Sequence, residues 1–134
     1  MTNMTYVRFS PRRPIKSFQD LEVYQKLLAV SVAVVKRIKS EKVGSLALEL
    51  PVKIATAHSV RFSDKARGIA ILEEVMLGTN ILIVYLEQFR DIENKDIEIE
   101  FFEEQINSLS TCRWKVMHLA RSWEKFSLPH AEEP

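Results

Sequence analysis

The segment from Ser17 to Ile38 sets the tightest limit on what this chain folds into. It opens on a capping serine, Ser17, with Asp20 three residues on in the position of the reciprocal acid. Leu21, Tyr24, Leu28, Ser31, Val35 and Ile38 then recur at alternating three- and four-residue spacings, which predicts a helix with a heptad seam. Val23, Leu27, Val30, Val32 and Val34 add apolar surface off that seam. A run of valines also suits a strand, because β-branched side chains lose rotamer freedom in helices. Cap and period both favour the helix. Between Leu27 and Val35 such a helix is apolar nearly all round, so it must be buried on more than one side. The expected arrangement is that the seam holds the monomer together, while Val30, Val32 and Val34 form an oligomer interface with a neighbouring copy.

The remainder supplies partners of the same kind. Only three glycines and five prolines occur in 134 residues, which favours a few long elements over many short strands. A turn at Gly44 and Ser45 precedes a second helix from Leu46 to about His58. Ser63 is read as the cap of a third helix carrying Ile69, Leu72, Met76, Thr79, Ile83 and Leu86 to about Phe89, with Gly78 marking close approach of a neighbouring helix. After a loop at Asp91 to Lys95, Asp96 caps a fourth helix that continues through Phe102, Ile106, Leu109, Val116, Ala120 and Trp123. The expected fold is all-α, an antiparallel up-down-up-down four-helix bundle. Residues 1–16 form a basic N-terminal arm, 17–126 the bundle and 127–134 a tail.

Charge placement says more than charge balance. Nineteen Lys and Arg against eighteen Asp and Glu leave a formal net charge of +1. In the expected topology one end of the bundle collects Arg8, Arg12, Arg13, Lys16, Arg61, Lys65, Arg67, Lys115, Arg121 and Lys125. The other end collects Lys36 to Lys42 together with Glu87, Asp91, Glu93, Asp96, Glu98, Glu100, Glu103 and Glu104. A basic end is the electrostatic footprint of a polyanion binder. Cations at helix ends also serve as simple cap chemistry, so both readings stand at this level.

Catalytic and metal signals are thin. His58, His118 and His130 lack Cys or carboxylate partners at metal-ligand spacing, and no glycine-rich phosphate loop is present, so neither metal nor cofactor is expected. The single cysteine, Cys112, excludes an internal disulfide and reads as a small buried hydrophobe; a cytoplasmic location is expected. The apolar run Leu27 to Val35 is too short to span a bilayer, so no membrane partner is expected. Arg113 and His118, with four residues between them, resemble the Arg-x4-His pair of the helical HEPN ribonucleases. That resemblance implies a metal-independent ribonuclease as an alternative, with a protein-only scaffold as a third.

Ser17 to Lys26, reading S-F-Q-D-L-E-V-Y-Q-K, resembles the opening of the four helix bundle protein family. That family includes proteins encoded by intervening sequences inside bacterial large-subunit rRNA genes and the accessory variability determinant proteins of diversity-generating retroelements. Leu50-Pro51-Val52-Lys53-Ile54-Ala55-Thr56-Ala57 stands where the family often reads I-P-x-N-I-A-E-G, Arg61 stands where a family Arg would follow, and Leu77-Gly78-Thr79 matches its L-G-S. Lys53, Thr56 and Ala57 replace the Asn, Glu and Gly of the second motif, which favours the accessory-determinant branch. The resemblance implies a homopentameric barrel of bundles, without catalysis, whose basic surface binds RNA or DNA and a reverse transcriptase. By position it points to Lys53, Arg61, Lys65 and Arg67 as nucleic-acid contacts, with Arg12, Arg13 and Lys16 from the arm.

Overall fold

The computed structural model describes residues 16–126, and Arg12 and Arg13 of the arm lie outside them. Four helices account for most of this span: α1 (Glu22–Arg37), α2 (Glu41–Val60), α3 (Lys65–Gln88) and α4 (Ile99–Lys125). No strand occurs among the described residues. The valine-rich segment is therefore helical and not a strand.

Local chemistry fixes where each helix begins. The Ser17 side chain accepts from Gln19 N, and the Asp20 carboxylate accepts from Ser17 N, completing a capping box. This box closes a single 3-10 turn, Phe18–Asp20, and α1 proper starts only after Leu21 has passed through an extended conformation. The second helix starts earlier than Gly44 suggested. Ser40 Oγ accepts from Val43 N, and Gly44 N donates to Ser40 O, so the glycine lies within the first turn of α2. Glycine is tolerated there because a cap one turn earlier already fixes the backbone. At α3 the cap is Asp64, whose Oδ1 accepts from Arg67 N, rather than Ser63. A five-residue π turn, Phe89–Glu93, ends α3, and Asn94 closes the following loop by bonding both N and O of Ile97. This delays α4 to Ile99, three residues past Asp96.

Packing follows chain order around a ring: α1 lies against α2, α2 against α3, α3 against α4, and α4 returns to α1. Leu27, Val34, Leu50, Ile54, Leu72, Leu82, Leu86, Phe102 and Leu109 are fully buried at its centre. Gly78 faces α2 closely: a Cβ built on it would stand 2.8 Å from Leu50 Cδ2. By length and composition Lys65–Glu93 is apolar enough to cross a bilayer. In the fold, its Leu72, Val75, Leu82 and Leu86 are wholly enclosed by the bundle.

The phase of α1 differs from the expected seam. Val23, Leu27, Val30 and Val34 face the core, while Leu28 and Val35 turn outward. Val30 is 4% exposed and Val34 0%, so both belong to the monomer's own core; of the three valines assigned to a neighbour only Val32, at 41%, is on the surface. Apolar residues surround the middle of α1, so three- and four-residue spacings fit two rotations of the helix equally well. Contact with α2 and α4 selects one of them.

A second apolar surface does exist, displaced around the bundle. Leu28, Val32 and Val35 on α1, Leu48 and Val52 on α2, and Leu77, Ile81 and Val84 on α3 are all exposed. One groove joins Leu28 to Leu48 and Val52, and another joins Leu48 and Val52 to Ile81, so α2 forms a ridge between them. The outward positions of α4 are mostly polar.

Candidate nucleic-acid interface

Cross-helix contacts establish which charges share an end. Lys65 Nζ at the start of α3 donates to the carbonyls of Glu124 and Phe126 at the end of α4, at 3.3 and 3.4 Å. Lys115 pairs with Glu22 at the start of α1 at 3.2 Å, and the His58 ring on α2 lies 6.5 Å from that of Trp123. The α2–α3 turn, the start of α1 and the last turns of α4 thus come together, bringing Arg61, Lys65, Arg67, Lys115, Arg121 and Lys125 to one end. At the far end Arg37 meets Glu98 at 2.7 Å and lies 4.8 Å above the Phe101 ring. There the cations that finish α1 face the acids that begin α4.

Sharing an end does not make every cation available. Lys53 lies in mid-α2, facing α3, and is bound to Glu74 at 3.1 Å and Glu49 at 4.0 Å. Its charge is largely answered within the monomer. Arg61 turns inward: Nη1 donates to His58 O, its guanidinium lies 4.0 Å above Phe62, and burial lowers its pKa. Gly68 leaves room for this turn, because a Cβ there would stand 3.2 Å from Arg61 Cα. Lys65 places its charge on the carbonyl end of α4, where it complements the helix dipole. Lys16 and Arg67 make no side-chain ion pair among the described residues, and both are exposed.

Arg121 and Lys125, exposed at this end and without a side-chain ion pair among the described residues, are cations that the motif-based assignment leaves out. They line a cleft of about 720 Å³ with His118, Ser122 and Phe126. His118 also borders a smaller cleft, about 360 Å³, shared with Leu21, Val23, Lys115 and Leu119. The signal for this group is present in the sequence: positions 118, 121, 122 and 125 follow the three- and four-residue spacing of one helix face.

Among the described residues, no three His, Cys, Asp or Glu side chains gather as a metal-binding group. Cys112 is fully enclosed, and burial pushes its thiol up to about 11, away from the reactive thiolate. Arg113 and His118 are five positions apart on a continuous helix, about 140° around its axis, so they do not present one face. It is Trp114 that stacks on His118, with ring centroids 5.7 Å apart and planes at 27°. Compared with family models, curated proteins and solved structures, the chain matches none.

Proposed function

We propose that this protein is a non-catalytic, oligomeric nucleic-acid-binding accessory protein. The observation that carries this reading is the partition of charge: Lys16, Arg67, Arg121 and Lys125, which have no side-chain ion pair among the described residues, lie at the end where α2 turns into α3, while the acids that begin α4 lie at the other. Phosphates neutralised at such an end release counterions, so binding should weaken steeply with salt. In this reading the bundle is antiparallel, a topology supported by the contacts Lys65–Phe126 and Arg37–Glu98. The outer apolar stripes on α1, α2 and α3 serve assembly, with Leu48 and Val52 at their centre. The family resemblance supplies the number five and a reverse transcriptase as protein partner.

The test measures affinity for RNA and DNA over a salt series alongside the mass of the assembly in solution. Binding that falls with salt, and falls further when Arg67 and Lys16 are both changed to Glu, supports the assignment. Affinity unchanged by that double reversal overturns the placement of the interface, and absence of binding at low salt overturns the function.

A further inference from the structure

The outward face of α4 changes chemistry along its length. It begins with Glu100, Glu103 and Glu104, continues through the uncharged Asn107, Ser110 and Thr111, and ends with Trp114, His118, Arg121, Ser122 and Lys125. Every one of these residues is exposed and all fall on one helical stripe. The acidic first turns repel a polyanion, whereas the last three turns attract it.

Trp114 is the unusual member. It is 53% exposed on the polar helix, away from the apolar stripes of α1, α2 and α3, and its nearest aromatic partner is a histidine. A large ring held in this way by a stacked imidazole presents its surface to solvent, about two to three turns ahead of Arg121 and Lys125, which have no ion pair among the described residues. From Trp114 to Lys125 the stripe runs about 16 Å, room for a few consecutive nucleotides.

We propose that Trp114 and His118, followed by Arg121, Ser122 and Lys125, form a stacking and phosphate-binding track for single-stranded nucleic acid. The inference rests on the nucleic-acid reading above and deepens it. An unpaired base stacks on the exposed indole, Arg121 and Lys125 neutralise the phosphates that follow, and the Ser122 hydroxyl donates to a phosphate oxygen. Such recognition tolerates any sequence, because every base has a π face. A duplex keeps its bases stacked inside and gains nothing from Trp114, so the track favours single strands.

The experiment titrates the full chain with oligouridylate, with oligothymidylate and with a duplex, each about 15 nucleotides long, following tryptophan fluorescence and anisotropy. Trp114→Ala should weaken both single strands by about tenfold or more while leaving the duplex unchanged, and Trp114→Phe should retain most of the affinity. Arg121→Ala with Lys125→Ala should weaken all three ligands and flatten the salt dependence. The RNA and DNA arms report which sugar the track prefers. Single-strand affinity unaltered in Trp114→Ala overturns the track while leaving the basic-end assignment standing. Loss of assembly in that variant, seen by sedimentation, overturns it by giving the ring to a protein interface. Failure of the wild type to bind any of the ligands overturns both readings.

Discussion

Gly78 on α3 lies directly beneath Leu50 on α2, so close that a methyl group on the glycine would stand 2.8 Å from Leu50 Cδ2. Leu50 is itself enclosed, which leaves its isobutyl group little space in which to retreat. Two effects oppose each other at this position: alanine gains about 1 kcal/mol of helix propensity over glycine, and overpacking costs about 1–3 kcal/mol. The steric effect prevails. Gly78→Ala should lower stability by about 1 kcal/mol in denaturant titration, and Gly78→Val by more. Adding Leu50→Val to Gly78→Ala should recover part of the loss, whereas strictly additive losses would show that the two side chains do not compete.

The displaced apolar surface makes opposite predictions for an exposed and a buried apolar position. Val52→Glu and Leu48→Glu place a charge on exposed positions of α2, so helix content by circular dichroism should stay unchanged while sedimentation shows a smaller species. Val34→Glu buries an unpaired carboxylate in the core and should cost several kcal/mol, unfolding the monomer. An oligomer that survives both α2 substitutions would remove this ridge from the interface.

Lys53 should matter little for nucleic acid. Its ammonium already faces Glu74, and that exposed pair contributes about 0.2–1 kcal/mol to the fold. Lys53→Ala is therefore expected to leave affinity within about twofold, while Arg67→Glu weakens binding severalfold at low salt. Equal effects from the two substitutions would mean that Lys53 leaves Glu74 when the ligand arrives.

His58 is expected to make the fold sensitive to acid just below pH 6.5. Burial and the neighbouring Arg61 charge both lower its pKa below the ordinary 6.5, so the folded state prefers the neutral ring. Its stabilising contribution is complete above 6.5 and is lost as pH falls below that value towards the folded-state pKa. Urea titrations across this window should show declining stability in the wild type and a flatter profile in His58→Gln. Matching slopes in the two proteins would assign the acid response to another group.

How far the residues alone reach is clearest at the helix ends. The run of helical spacing through α4 announced that element because periodicity is local chemistry, whereas the Ser17–Asp20 box closed only a 3-10 turn ahead of α1. Ser40 caps α2 by the same local chemistry, yet Gly44 read as a turn because a glycine carries two meanings and nothing within one segment separates them. The charge pattern was also readable, since helix order alone gathers one mainly basic end and sets the acids that begin α4 beside the cations that finish α1 at the other. Which cations stay free was not. Lys53 loses its availability to Glu74, twenty-one positions away, and Lys65 to carbonyls at the end of α4.

The amino-acid order was enough to require four amphipathic helices, their approximate limits and a molecule with one basic end, because caps, spacing and charge act over a few residues. The rotation of α1 was a matter for the assembled bundle. Its valines offer nearly equal apolar surface in every direction, so the choice of inward face rests with the shapes of α2 and α4. That choice sends Val30 and Val34 into the core and leaves Leu28, Val32 and Val35 outside.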